Sequence, residues 1–347
     1  MEGADEQRGA AAPSAARPVR MKAIVQRRYG PPESIELADL PVPGIGDDEL
    51  LVRVHASSVN AADVEYLRGM ALVRLGAPFR PRHRVIGSDV AGVVEAVGTR
   101  VTSHKVGDEV YADLSEHGFG AFAEYVAVPA EALTHMPTGL SFRQAAAVPS
   151  AACVALQGIR GQGDIGVGSR VLINGAGGGM GTFALQMAKA RGAHVTAVDS
   201  APKAELLRSL GADEVIDYRR EDYTRRRERY DLILDIQAHR SVRASRRALT
   251  PGGVYRMVGG SSRRIVEAAT LGTLISRTSP QTVGLLLGWP NRRRDMEEVS
   301  ELLRSGAIHP VVDRSYPLAE AAAALRYVAD GHVQGKVVID ITPAAAP

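Results

Sequence analysis

The residues best equipped for chemistry lie between Arg170 and Asp199, where the chain reads RVLINGAGGGMGTFALQMAKARGAHVTAVD. Gly175, Gly177, Gly178, Gly179 and Gly181 allow a tight turn whose backbone N–H groups can approach an anion. The helical pattern from Thr182 to Arg191 follows, and a helix N-terminus adds unpaired N–H groups and about half a positive charge. Asp199 closes the stretch with a carboxylate able to accept hydrogen bonds from a ribose. Amides for a pyrophosphate and an acid for a ribose together describe a dinucleotide site. A glycine run alone is a weak signal that a flexible loop would also explain, so its flanks must decide. Elsewhere candidates are sparse. His55, His83 and Asp89 could be imagined around a metal, but no pair has ligand spacing, and core-satisfied or solvated histidines explain them equally.

The flanks fit. Val171-Leu172-Ile173 is an apolar run of strand length, Gly192 is placed to stop the helix, and His194 to Val198 reads as a second strand. Glu214 to Ile216, Tyr230 to Ile236 and Gly253 to Val258 supply further strands, with helices over 201–210 and 239–249 between them. Strands alternating with helices predict a parallel sheet covered on both faces. The chain upstream has another character. From Met21 to Val128, short Val-rich strands are interrupted by Gly87, Gly92, Gly98 and Gly107, as in a compact, twisted β domain. Phe142 to Gly158 is Ala-rich and helical with a break at Pro149, whereas residues 263–290 show no clear period. A helix over Asp295 to Arg304, a strand over His309 to Arg314, a helix over Leu318 to Ala329 and a strand over Lys336 to Ile341 suggest a return to the first domain.

A length of 347 residues suits about two domains, and 45% hydrophobic with 23% charged residues suits a globular protein. The net charge of +3 gives no strong field for nucleic acid or membrane. The Arg clusters at 225–229 and 292–294 are the features that favour nucleic acid, and a solvated helix face is the plainer explanation of the run from Arg219 to Arg229. Cys153, the single cysteine, excludes an internal disulfide and a zinc site of several thiolates, and it fits a reducing, cytoplasmic setting. No window has the ~18 apolar residues of a membrane span. Residues 1–20 lack the apolar core of a secretory signal, and their acids argue against a transit peptide, so they read as a disordered tail.

Taken together, Ser58-Val59-Asn60-Ala61-Ala62-Asp63, Gly87-Ser88-Asp89-Val90-Ala91-Gly92, Val97-Gly98, Gly107-Asp108, the glycine turn, Arg208 to Asp213 and Gly335-Lys336-Val337-Val338 resemble the medium-chain dehydrogenase/reductase superfamily, in its zinc-independent quinone oxidoreductase-like branch. The resemblance covers Met21 to about Ile341. It implies an α/β protein with a GroES-like β-rich catalytic domain (21–145), a Rossmann doubly wound parallel-sheet domain (146–290) and a return to the catalytic domain (291–347). It also implies a dimer or tetramer joined through Rossmann edge strands, with a homodimer expected here, for which an exposed strand near 255–280 would serve.

The family's site maps onto this chain residue by residue. The cofactor would lie on Ala176, Gly177, Gly178, Gly179, Met180 and Gly181, and against Asp199, Ser200, Lys203, Tyr218, Val258 and Gly259. Ala176 replaces the usual first glycine. Asp199 favours NAD(H), because a carboxylate repels a 2′-phosphate, whereas Lys203 and Tyr218 match positions that grip that phosphate in NADP(H)-using relatives. The family habit tips the expectation to NADP(H). With no Cys or His beside Asn60, no metal is expected, and a developing enolate oxygen must meet amide or hydroxyl donors. Asn60 is the leading donor, with a turn residue bonding its own backbone as the alternative. The usual tyrosine five residues later is Glu65 here, and Tyr66 stands one step of about 100° away on a helix, which leaves its role open. Val154 stands where relatives often carry a Thr. The expected activity is hydride transfer to a quinone or an α,β-unsaturated carbonyl. Other readings are a reductase dedicated to one biosynthetic enone or carbonyl, and a non-enzymatic NADPH-binding relative with a structural or RNA-binding role.

Overall fold

The computed structural model describes residues 19–160, 165–286 and 293–341, so most of the tail expected over 1–20, and Arg292 of the second basic run, lie outside the described residues. Six parallel strands form one sheet in the order Glu214–Asp217, His194–Asp199, Arg170–Asn174, Tyr230–Asp235, Leu249–Met257 and Thr282–Leu285. That is the doubly wound order, and it reverses direction beside Arg170–Asn174, where the glycine turn emerges. Val171, Leu172, Ile173, Ile233 and Leu234 are buried, as strands covered on both faces require.

The second sheet is built mainly of antiparallel strands around Glu49–Val59. Its far edge comes from the C-terminal segment: Lys336–Asp340 pairs antiparallel with Glu49–Val59 and parallel with Val312–Pro317. The chain therefore returns to the first domain after leaving the parallel sheet. Helices Phe142–Ala146 and Pro149–Arg160 run between the two sheets, their break falling at Pro149.

Residues 262–278 differ from the strand expected near 255–280. They form a helical run, Ser262–Glu267, a π turn and Thr273–Thr278, and the edge strand of the parallel sheet is Thr282–Leu285. The run hides its period because Val266 and Leu274 are apolar yet exposed. The strand and helix before the final strand also begin later than their sequence pattern suggests, at Val312 for the strand and, after a 3-10 turn over Leu318–Glu320, at Ala321 for the helix.

Candidate cofactor and active site

The glycine turn starts where strand Arg170–Asn174 ends. Gly175 adopts φ +86°, and both Gly175 and Ala176 donate backbone hydrogen bonds to Val198 O, which pins the turn to the neighbouring strand. Gly178 precedes the helix Gly179–Ala190, so the first-turn N–H groups of Gly179, Met180 and Gly181 have no partner within that helix. A side chain at Gly181 would lie 2.3 Å from Gly175 O, so helix and strand close up only without one. Gly181→Ala is expected to spread the turn, lower the melting temperature and abolish detectable NAD(P)H binding in a calorimetric titration.

Asp199 does more than wait for a ribose. Its carboxylate accepts from Gly177 N (2.8 Å) and Ser200 N (2.8 Å), and Lys203 Nζ lies 3.3 Å away with both side chains buried. The acid that ends the second strand thus organises the turn and carries its own counterion. Tyr218 is half exposed, donates its backbone N–H to Asp199 O, and has the Arg219 guanidinium 5.6 Å from its ring centroid. Val258 and Gly259 follow strand Leu249–Met257. Val258 N donates to Asp235 O and Gly259 O accepts from Ala238 N, which sets both at the carboxyl edge of the sheet. The cofactor candidates therefore share the edge on which the strands end.

Asn60 caps the helix Ala61–Arg68 in a capping box with Asp63, whose carboxylate accepts from Asn60 N (2.7 Å). Asn60 Oδ1 accepts from Lys336 Nζ (2.5 Å), and Nδ2 donates to Ser88 Oγ (3.1 Å) and Asp89 Oδ2 (2.9 Å). Both amide hydrogens are committed, so Asn60 is an organiser before it is a donor. Asp89 is fully buried. Its Oδ2 accepts from Ser58 Oγ (2.7 Å), Asn60 Nδ2 and Lys336 Nζ (3.2 Å), and its Oδ1 from Ser150 N (2.9 Å). Asp63 lies behind it, accepting from Asn60 N and Ser88 Oγ.

Burial pushes the Asp63 carboxyl up to about 7, with Asp89 adding repulsion. Burial and Asp89 likewise raise Asp113 to about 6. A carboxyl with a raised folded pKa keeps a proton that the unfolded chain releases. Between the unfolded value near 4 and pH 7, unfolding gives up that proton, so stability is greatest at the acid end and falls as pH rises. Asp63→Asn is expected to flatten the fall in stability between pH 5 and 7.5 by up to about 1 kcal/mol per pH unit, and with it the fall in melting temperature. Melting curves at matched ionic strength would show it.

Lys336 is the residue that the sequence reading passed over. It is 3% exposed, and its stem lies so close to the glycine turn that a side chain on Gly179 would meet Lys336 Cδ at 2.7 Å. Gly335 N donates to Gly177 O. One two-residue step thereby binds the cofactor turn to the Asn60–Asp89 cluster of the other sheet. The available signal was the quoted Gly-Lys-Val-Val motif, a lone lysine opening an apolar strand in a chain whose bases are mostly arginine.

Tyr66 projects elsewhere than Asn60. Its hydroxyl accepts from His83 N (3.2 Å), which leaves its own O–H free of that contact, and its ring packs on Phe119 at 4.6 Å. Phe119 has φ +61° between Gly118 and Gly120, themselves at positive φ, a conformation a bulky residue seldom adopts outside constrained sites. Burial raises the Tyr66 pKa, so the phenol stays protonated through neutral pH. His55 stacks on Phe142 at 4.3 Å. His55, His83 and Asp89 therefore do not converge, and among the described residues no group of three or more His, Cys, Asp or Glu could hold a metal.

The comparisons fit this geometry. Residues 46–138 match the alcohol dehydrogenase GroES-like domain, and residues 210–339 match a family described as zinc-binding dehydrogenase. The mouse mitochondrial NAD(P)H oxidoreductase RTN4IP1 is 33% identical, the alignment covering 94% of this chain and 91% of that protein. The chain belongs to the medium-chain dehydrogenase/reductase superfamily, in its quinone oxidoreductase-like branch. The chloroplastic NADPH-dependent alkenal/one oxidoreductase of Arabidopsis thaliana is also 33% identical, over 93% of this chain and 80% of its own length. Among solved structures, Escherichia coli quinone oxidoreductase complexed with NADPH superposes with a TM-score of 0.81 at 26% identity, covering 92% of this chain and 99% of that one. The protein is thus an NAD(P)H oxidoreductase of this superfamily. Among the described residues no group of three or more His, Cys, Asp or Glu could hold the zinc of the second family's description, and Asp89 already pairs with Lys336.

Proposed function

We propose that the protein is a zinc-independent reductase that transfers hydride from NADP(H) to a quinone or an α,β-unsaturated carbonyl. The observation that carries this reading is the commitment of Asp89 Oδ2 to Ser58, Asn60 and the Lys336 ammonium, so this acid already holds a cation of its own. Bound NADPH supplies the hydride. The chain's own work is to hold the pyrophosphate on the amides of Gly179, Met180 and Gly181, and to meet the charge that develops on the substrate oxygen. Tyr66 is the donor we assign to that oxygen. Its hydroxyl is held by His83 N and carries an O–H that the internal network does not use. Asn60, Asp89 and Lys336 position the turn and the site relative to each other. Oxidation of NADPH against a panel of quinones, enones and aldehydes tests the reading, and failure with every enone and quinone would sink it.

The lone pair of charges at Asp199 and Lys203 supports NADP(H). An acid already neutralised by Lys203 repels a 2′-phosphate far less than a free one, and Tyr218 and Arg219 flank the same corner. Lys203→Ala is expected to weaken NADPH about tenfold while leaving NADH within about twofold. Titration of both cofactors checks this, and NADH at least about tenfold tighter than NADPH in the parent protein would reverse the assignment.

The basic run has the character of a solvated face: Arg219, Arg220, Arg225, Arg227 and Arg229 are exposed, and Arg226 pairs with Glu214, Glu221 and Glu228. Retention of the protein on RNA at physiological salt would favour an RNA-binding role instead. A homodimer through the open edge of Thr282–Leu285 accords with the sheet order. No helix among the described residues is long and apolar enough to cross a membrane. We assign a cytoplasmic setting on the buried, unpaired Cys153, although the named relatives are mitochondrial and chloroplastic.

A further inference from the structure

The stretch from Ser241 to Gln281 holds seven arginines and one acid, Glu267, in a chain whose net charge is only +3. Several of these arginines are used internally: Arg256 donates to backbone carbonyls of the Pro149–Arg160 helix, and Arg264 pairs with Glu267. Arg246 is fixed by Gln281, which accepts from its Nε at 2.7 Å. Arg243 and Arg247 are exposed, one turn apart on helix Val242–Arg247, and have no ion pair among the described residues. These three side chains line a groove of about 560 Å³ together with the apolar Leu249, Leu271, Leu274 and Ile275 and the polar Thr278 and Gln281. Leu274 is 58% exposed there, although buried positions lie on either side of it in the same helical run.

Position separates this groove from the cofactor. Leu249 begins its strand and Gln281 precedes the next, so the groove lies at the amino ends of the parallel strands. The glycine turn lies at the carboxyl ends. The volume falls within the ~300–1,000 Å³ of ordinary ligand sites. Guanidinium groups and leucines lining one groove complement a molecule with an anionic head and an aliphatic tail, since guanidinium pairs with carboxylate and phosphate in a fixed fork. A plain anion would leave the leucines wet, and a neutral chain would leave the arginines unpaired.

We infer that this groove binds a single-chain anionic amphiphile, a fatty carboxylate or an alkyl phosphate monoester, with the head on Arg243 and Arg247 and the tail along Leu249, Leu271, Leu274 and Ile275. The inference does not depend on which compound the active site reduces. The test is calorimetric titration of the full chain with dodecyl phosphate and laurate below their micelle concentrations. Inorganic phosphate, dodecyl maltoside and anionic phosphatidylglycerol vesicles run in parallel. One-to-one binding of both anionic amphiphiles near about 10 µM is expected, with neither inorganic phosphate nor the neutral detergent binding. Octyl phosphate should bind about tenfold or more weakly, because four methylenes leave the leucines.

The double variant Arg243→Gln/Arg247→Gln should lose about tenfold or more in affinity while keeping parental turnover of NADPH. Leu274→Asp, at an exposed position, should do the same and guards against a folding defect in the double variant. Undiminished binding by both variants would overturn the inference. So would inorganic phosphate binding as tightly as dodecyl phosphate, or affinity for vesicles without affinity for the monomeric amphiphile. Loss of self-association in the variants, with no amphiphile bound by the parent, would make the groove a contact with a second copy and overturn it equally.

Discussion

Lys336→Met is expected to lower the melting temperature by roughly 10 °C and to reduce NADPH oxidation by at least about a hundredfold. Asp89 is fully buried, and removing its cationic partner leaves a carboxylate with no counterion, a loss of about 3–5 kcal/mol in comparable cases. Asn60 Oδ1 loses its donor in the same step, and the glycine turn loses the stem packed against Gly179. Stability and catalysis are separable here. Adding Asp89→Asn to Lys336→Met removes the stranded charge, so the double variant should recover most of the melting temperature and little of the turnover. Recovery of both would reduce Lys336 to a structural ion pair.

Tyr66→Phe should lower turnover on an enone by about a hundredfold with cofactor affinity unchanged, the usual loss when a positioned proton donor is removed. The fold should tolerate it, since the phenol accepts a single backbone hydrogen bond and the ring contact with Phe119 survives in Phe. Asn60→Ala should also slow turnover without abolishing cofactor binding, but with a drop in melting temperature, because it breaks into a network shared by Ser88, Asp89 and Lys336. Steady-state kinetics with melting curves distinguishes the two. Full activity of Tyr66→Phe beside a stable, inactive Asn60→Ala would return the donor role to Asn60.

The cofactor half of this protein was legible because its signals are local. Glycines at 175–181 sit between an apolar run and a helical period, and that arrangement has one common structural meaning. The return of the chain to the first domain was visible in the Gly-Lys-Val-Val strand. What Lys336 does was not, because its partners Asn60 and Asp89 lie more than two hundred residues upstream and meet it only through the pairing of Lys336–Asp340 with Glu49–Val59. Asp199 was only partly legible for a related reason. Its position at the strand tip was read correctly, but the neutralising contact with Lys203 is a matter of rotamer, which spacing does not fix. The run 262–278 defied a period because exposed Val266 and Leu274 break the rule that apolar residues mark the inner face.

The reading of metal-free hydride transfer is tested most directly by single-turnover reduction of a simple enone with NADPH deuterated at C4, using protein stripped with a chelator and assayed for residual metal. With less than about a tenth of an ion per chain, the deuterium should appear on the β-carbon at the rate of the untreated protein. Loss of that step on chelation, restored by added zinc, would contradict the account.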